Sequence, residues 1–170
     1  MRLRALVLGA AAGGGLPQWN CNGPNSRAVW RGTAHFAPAT QSSLAVSLDG
    51  IDWLVLNASP DLRQQILANP PLQPRDPDLY GLRDSPIRAV LVTNGDVDHV
   101  AGLLSLRERQ PFTLWTTAEI AAVLDANPIF EALDREVVTR RTLALGAPVE
   151  VLAGLTAELF AVPGKVPLYL

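Results

Sequence analysis

One segment constrains this chain more than any other. An apolar run over residues 87–93, Ile87-Arg88-Ala89-Val90-Leu91-Val92-Thr93, opens directly onto Asn94-Gly95-Asp96-Val97-Asp98-His99. A short apolar run rich in branched residues reads as a buried strand. Four metal-capable side chains, Asn94, Asp96, Asp98 and His99, follow within six residues. A helical pattern then covers 100–108. Oxygen donors and one imidazole at a strand end suit a hard or borderline divalent metal. Two readings of the loop stand side by side. In one, the carboxylates of Asp96 and Asp98 converge on an ion, His99 adds imidazole, and a neighbouring carboxylate fixes its tautomer. In the other, the loop is a solvated Asn-Gly-Asp turn with Asp98 as N-cap of the helix.

The rest of the chain sets the fold class. Its 170 residues suffice for one domain, 1–170, with a real core. Apolar residues make up 48% and charged residues 18%, which excludes a disordered chain. A net charge of −2 without a basic block argues against nucleic acid as a partner. Cys21 is the only cysteine, so an intrachain disulfide is impossible and a cytoplasmic location fits. No apolar run reaches the length of a membrane span, which argues against membrane insertion. Arg2 and Arg4 before the apolar stretch 5–12 resemble the start of a secretory leader. Residues 3–8 are short for that purpose and read better as a buried first strand.

Gly9 and Gly13-Gly14-Gly15 lack the Gly-x-Gly-x-x-Gly spacing of a dinucleotide site, and Pro17 discourages a helix there. They predict a loop whose backbone passes close to something else. Residues 23–26 read as a turn. Strands at 42–48 and 53–57 flank an Asp49-Gly50 hairpin turn. A helix over 60–68 has Ser59 as N-cap and Pro60 at its first position. Residues 69–84, with four prolines, form an ordered surface loop. A strand at 113–116 precedes a helix capped by Thr117 and running to about 127. Strands follow at 137–143, 149–152 and 159–162. Intermixed helices and strands make the class α/β or α+β. The apolar finish at 165–170 reads as a chain cut in mid-fold. His35 reads as a packed residue, and Cys21 as a buried thiol. Ser59-Pro60-Asp61 reads as capping in preference to anion binding.

Taken in order, several segments resemble one family. They are Gly13-Gly14-Gly15-Leu16-Pro17-Gln18-Trp19-Asn20-Cys21-Asn22, Leu56-Asn57-Ala58-Ser59-Pro60-Asp61, the 93–103 motif, and Val162-Pro163-Gly164-Lys165-Val166-Pro167. The chain resembles the coenzyme PQQ synthesis protein B family of the metallo-β-lactamase superfamily. The superfamily motif His-x-His-x-Asp-His appears with Asn94 and Asp96 in place of its first two histidines. The resemblance implies an αββα sandwich with a metal site at one edge of the sheets, here incomplete at the C-terminus. It implies a role in making pyrroloquinoline quinone (PQQ), through iron-dependent hydroxylation of the tyrosine moiety of a Glu-Tyr-derived precursor. The alternatives are carriage of PQQ or its precursor towards the periplasm, and an inactive truncated remnant. On the first reading Asp96, Asp98 and His99 hold one divalent metal, Fe(II) in preference to Zn, with Asn94 as a weak ligand or hydrogen-bonding neighbour. Asp98 and His99 are then the catalytic pair. The expected partners are a small-molecule or dipeptide precursor, other PQQ-biosynthesis proteins, and a second copy in a dimer. Many family members carry Cys-x-Cys-x-x-Cys after the Trp-Asn; only Cys21 remains here, so no structural zinc is expected at Cys21. A carrier of a tricarboxylate needs cations, and Arg63, Arg88 and Lys165 are the candidates.

Overall fold

The computed structural model describes residues 2–163. Six strands, β1 (Arg4–Gly9), β2 (Ser43–Ser47), β3 (Trp53–Leu56), β4 (Ile87–Leu91), β5 (Phe112–Thr116) and β6 (Val138–Thr142), form one sheet in sequence order. The first two pairings are antiparallel and the last three parallel. The β2–β3 hairpin closes on Asp49, whose carboxylate accepts from Ile51 N (2.8 Å), Asp52 N (3.0 Å) and the Ser47 hydroxyl (3.0 Å). Those backbone donors hold its carboxyl below the usual range.

The strand period of two separates two cores. Trp53 and Val55 of β3, with Val90, Val92 and Leu114, pack under helices α2 (Leu62–Ala68) and α5 (Ala118–Asp125). Leu62, Leu103, Ile120, Leu124 and Leu133 complete that side. Leu54, Ala89, Leu91 and Trp115 face the other way, against a hairpin of β7 (Val149–Leu152) and β8 (Leu155–Ala157). Trp115 Nε1 donates to Val151 O across that interface at 3.1 Å. Helices, sheet and hairpin stack as a mixed α/β arrangement, with three layers of an αββα sandwich on the described residues.

Several elements depart from the expectations. Strand β1 lies at the sheet edge, so only Leu8 is buried and Val7 is 69% exposed. The stretch from Pro24 begins helix α1 (Pro24–Trp30), with proline in the first turn, where its missing N–H costs nothing. In α2, Asp61 sits at the cap position, and Ser59 Oγ is buried with no hydrogen-bond partner. The Asp61 carboxylate turns to Gln41 and accepts from its backbone N (2.9 Å) and Nε2 (3.2 Å). The loop at 69–84 contains a short helix α3 (Pro77–Tyr80) and is anchored by Arg75, which donates twice to Asp84 at 2.7 Å. The helix expected over 100–108 is one α-turn, α4 (Val97–Val100), followed by a 3-10 stretch, Ala101–Leu106. Residues 159–162 form no strand; Leu159 makes a single bridge to Leu145, and the partner of β7 is β8. The expectation for 165–170 falls outside the described residues.

Candidate metal centre

The motif loop begins where β4 ends. Asn94 Oδ1 accepts from Asp96 N at 2.9 Å, a side-chain-closed turn of the kind asparagine favours. Asp96 O then accepts from His99 N (2.8 Å) and Val100 N (3.1 Å), which starts α4. Asp96 holds the cap position without a capping side-chain bond, and Asp98 lies inside the first turn. The alternative reading of Asp98 as N-cap therefore fails on the helix start.

This geometry sets Asp98 beside His99, with Oδ1 3.1 Å from Nδ1. The contact is close but not angled as a hydrogen bond, and Nδ1 is buried with no hydrogen-bond partner. A buried imidazole nitrogen left in that condition is unusual and invites a ligand or a metal-induced reorientation. Asp98 is pressed from the other side by the glycine loop. A Cβ built on Gly13 would stand 2.6 Å from Asp98 Oδ2 and 2.9 Å from its Cγ. The close approach expected of the glycine loop is thus an approach to Asp98. At the far end of the loop, Ala58 N donates to His99 O and Gly102 N donates to Ala58 O, both at 2.8 Å. Gly102 has no room for a side chain, because a Cβ there would meet Ser59 O at 2.0 Å.

The other two candidate donors face elsewhere. Asn94 and Asp96 line a cavity of about 790 Å³ with Thr93, Thr117, Leu145 and residues 158–163. Asp98 and His99 are not among its lining residues. Among the described residues, no group of three or more His, Cys, Asp or Glu side chains stands close enough to hold a metal ion. The donor types suit a metal, but only the Asp98–His99 pair is in contact, with a third carboxylate two positions away in sequence. His35 is exposed. Cys21 is half-buried where full burial was expected. Hydrogen bonds with Ser26 and from Gly23 N lower its pKa. Arg88 is paired with Asp52 at 3.2 Å, Arg63 is exposed on α2, and Lys165 lies outside the described residues. Sequence alone does not reveal the specific partner of Gly13, and Asn57 stands in it as a strand end and as part of the 56–61 segment of the family resemblance, with no role of its own. The one signal for Asn57 was an asparagine followed by a helix start.

Strand, donor loop and helical turn lie together on one edge of a layered sheet. The family model of the β-lactamase superfamily domain matches residues 52–168. The chain belongs to the β-lactamase superfamily. Within that superfamily it is 56% identical over 168 residues to "Coenzyme PQQ synthesis protein B" of Methylorubrum extorquens (strain PA1), covering 99% of this chain and 55% of the relative. The fold matches the crystal structure of Zn²⁺-bound PqqB from Methylobacterium extorquens with a TM-score of 0.93 and 57% identity, covering 98% of this chain and 54% of that one. A diphosphatase from the PhnP family matches with a TM-score of 0.68 at 21% identity, over 88% of this chain and 53% of that chain, and so shares the fold. The family resemblance seen in the sequence is borne out. The chain spans about half the length of the curated relatives it matches.

Proposed function

We propose that this chain acts in PQQ biosynthesis as a metal-binding part of a coenzyme PQQ synthesis protein B, with Asp98 and His99 as its core ligand pair. The carrying observation is the Asp98–His99 contact, in which a buried Nδ1 without a hydrogen-bond partner lies 3.1 Å from a carboxylate oxygen. The 56% identity to a coenzyme PQQ synthesis protein B supports the pathway, and the Zn²⁺ in the matched crystal structure supports a divalent metal. Asp96, which lines the neighbouring cavity, joins the pair as a third ligand on this reading only by turning towards it, and Asn94 shapes the turn through its bond to Asp96 N. Because no three acidic, histidine or cysteine donors gather among the described residues, the reading requires a further ligand from outside them. The longer relatives have sequence to supply one.

A bound divalent ion supplies Lewis acidity and, if it is iron, access to oxygen chemistry. This chain's residues do the rest. Asp98, confined by Gly13, stands against the imidazole of His99 and limits where its ring can turn. The cavity beside Asn94 and Asp96 is of the size that takes a small molecule or dipeptide, with Leu145, Phe160 and Val162 as apolar walls. Fe(II) in preference to Zn is the finer part of the proposal, supported by oxygen donors standing where the superfamily motif has imidazoles. Tyrosine-ring hydroxylation, a cytoplasmic location, other PQQ-biosynthesis proteins as partners and a dimer belong to the same reading. Among the described residues no helix is long and apolar enough to cross a membrane.

The test is calorimetric titration with Zn²⁺ and, without oxygen, with Fe²⁺, together with complementation of a strain lacking its coenzyme PQQ synthesis protein B. His99→Ala should abolish both binding and PQQ production. Wild-type behaviour in that variant overturns the assignment. PQQ bound tightly by metal-free protein would favour carriage.

A further inference from the structure

We propose that Asn57 is a positioning residue for the candidate metal loop, an assignment that rests on the metal-binding reading above. Asn57 follows β3 with φ 61°; among the described non-glycine residues only Arg109 shares a positive φ. Asparagine tolerates that region better than most residues, yet the conformation is still uncommon and calls for a reason. The reason lies in what the side chain reaches. Asn57 Oδ1 accepts from Thr93 N at 2.9 Å and from Thr93 Oγ1 at 3.0 Å. Thr93 immediately precedes Asn94, the first donor of the loop. The backbone of Asn57 is fixed in turn: its N donates to Leu91 O at 2.9 Å, and its O accepts from Ser43 Oγ at 2.9 Å.

The next residue grips the other end. Ala58 N donates to His99 O, and Ala58 O accepts from Gly102 N. Two consecutive residues therefore hold both ends of the segment 93–99, Asn57 at its entry and Ala58 at its exit. The left-handed turn at Asn57 lets the side chain meet Thr93 while the following N–H meets His99. An ordinary strand end would not need it. The entry bonds are exposed to water, so their effect falls on the placement of the loop more than on the core.

The experiment compares Asn57→Gly, which keeps the backbone conformation and removes the acceptor, with Asn57→Asp, which keeps an acceptor and tolerates positive φ. Amide hydrogen exchange at Thr93 and across 94–99 is measured on metal-free protein, and Zn²⁺ affinity by calorimetry. Asn57→Gly should speed exchange at Thr93 and weaken Zn²⁺ binding by about 10-fold, the lower end seen for groups that orient ligands. Asn57→Asp should restore both. Unchanged Thr93 exchange in Asn57→Gly, with wild-type Zn²⁺ binding intact, overturns the positioning role alone, as does an Asn57→Asp variant as impaired as Asn57→Gly. A wild-type protein that takes up no Zn²⁺ overturns the metal reading instead, and the exchange contrast still reports whether Asn57 holds the loop.

Discussion

Replacing Gly13 by alanine tests whether the glycine loop sets the position of Asp98. The φ of Gly13 lies outside the left-handed region, so only the space around a Cβ opposes the change. That Cβ would meet Asp98 Oδ2 at 2.6 Å, Cγ at 2.9 Å and Cβ at 3.3 Å. Comfortable non-bonded contacts lie at about 3.5 Å or more. Something must therefore give by most of an ångström. If the loop yields, the cost is that of overpacking, about 1–3 kcal/mol in unfolding free energy. If the carboxylate swings aside, stability changes little but the 3.1 Å approach to His99 is lost. Metal affinity then falls by roughly 10–100-fold, the range for disturbed ligand orientation. Urea unfolding reads the first outcome and Zn²⁺ titration the second. Loss of neither would refute the contact. The double variant closes the argument: with Asp98→Ala as background, Gly13→Ala should cost much less, because the two closest atoms it strikes, Oδ2 and Cγ, are gone and only Cβ at 3.3 Å remains. A full-sized loss in that background would place the cost elsewhere in the loop.

Two further outcomes follow from local chemistry. The Arg75 guanidinium lowers the Asp84 carboxyl from 3.8 to about 2. A pKa lower in the folded state stabilises the protein above pH 3.8, and that contribution is lost as pH falls towards 2. It amounts to roughly 2 kcal/mol. Acid unfolding should therefore steepen in that window, and Asp84→Asn should remove the steep portion while lowering stability at neutral pH. At the start of α5, Thr117 accepts from Ile120 N, and Thr117→Ala should cost about 1 kcal/mol by urea midpoint, recovered in Thr117→Asp.

The fold was legible where burial leaves a period in the sequence. β2, β3, β4 and β5 are buried along most of their lengths, and their apolar runs are bounded by turn and cap residues that mean the same thing in sequence and in space. Asp49-Gly50 and Thr117 are such residues. Legibility failed where one residue has two uses. Gly23-Pro24 suits a turn or a helix start, and the chain makes the helix. Ser59 is a good N-cap by type, but Asp61 takes the cap position and gives its carboxylate to Gln41. Asn57 is unremarkable as a strand end, and its role appears only once Thr93 is brought beside it.

The donor loop shows the same limit at the site itself. Its residue types announce a metal, but their directions depend on where the helix begins. Because Asp96 O accepts from both His99 N and Val100 N, the helical turn starts three residues earlier than the apolar pattern suggests. That shift places Asp98 and His99 in one turn, with Asp98 against the glycine loop, and leaves Asn94 and Asp96 on the wall of the neighbouring cavity. Three protein bonds hold the loop: Asn94 to Asp96 N, Asn57 to Thr93, and Ala58 to His99. Small domains that fold only around their metal derive their loop order from the ion. Here three hydrogen bonds within the protein contribute to the shape of the loop. What remains to be supplied is a donor set of three, and Asp96, two residues from the formed pair and without a capping bond, is the carboxylate best placed to join it.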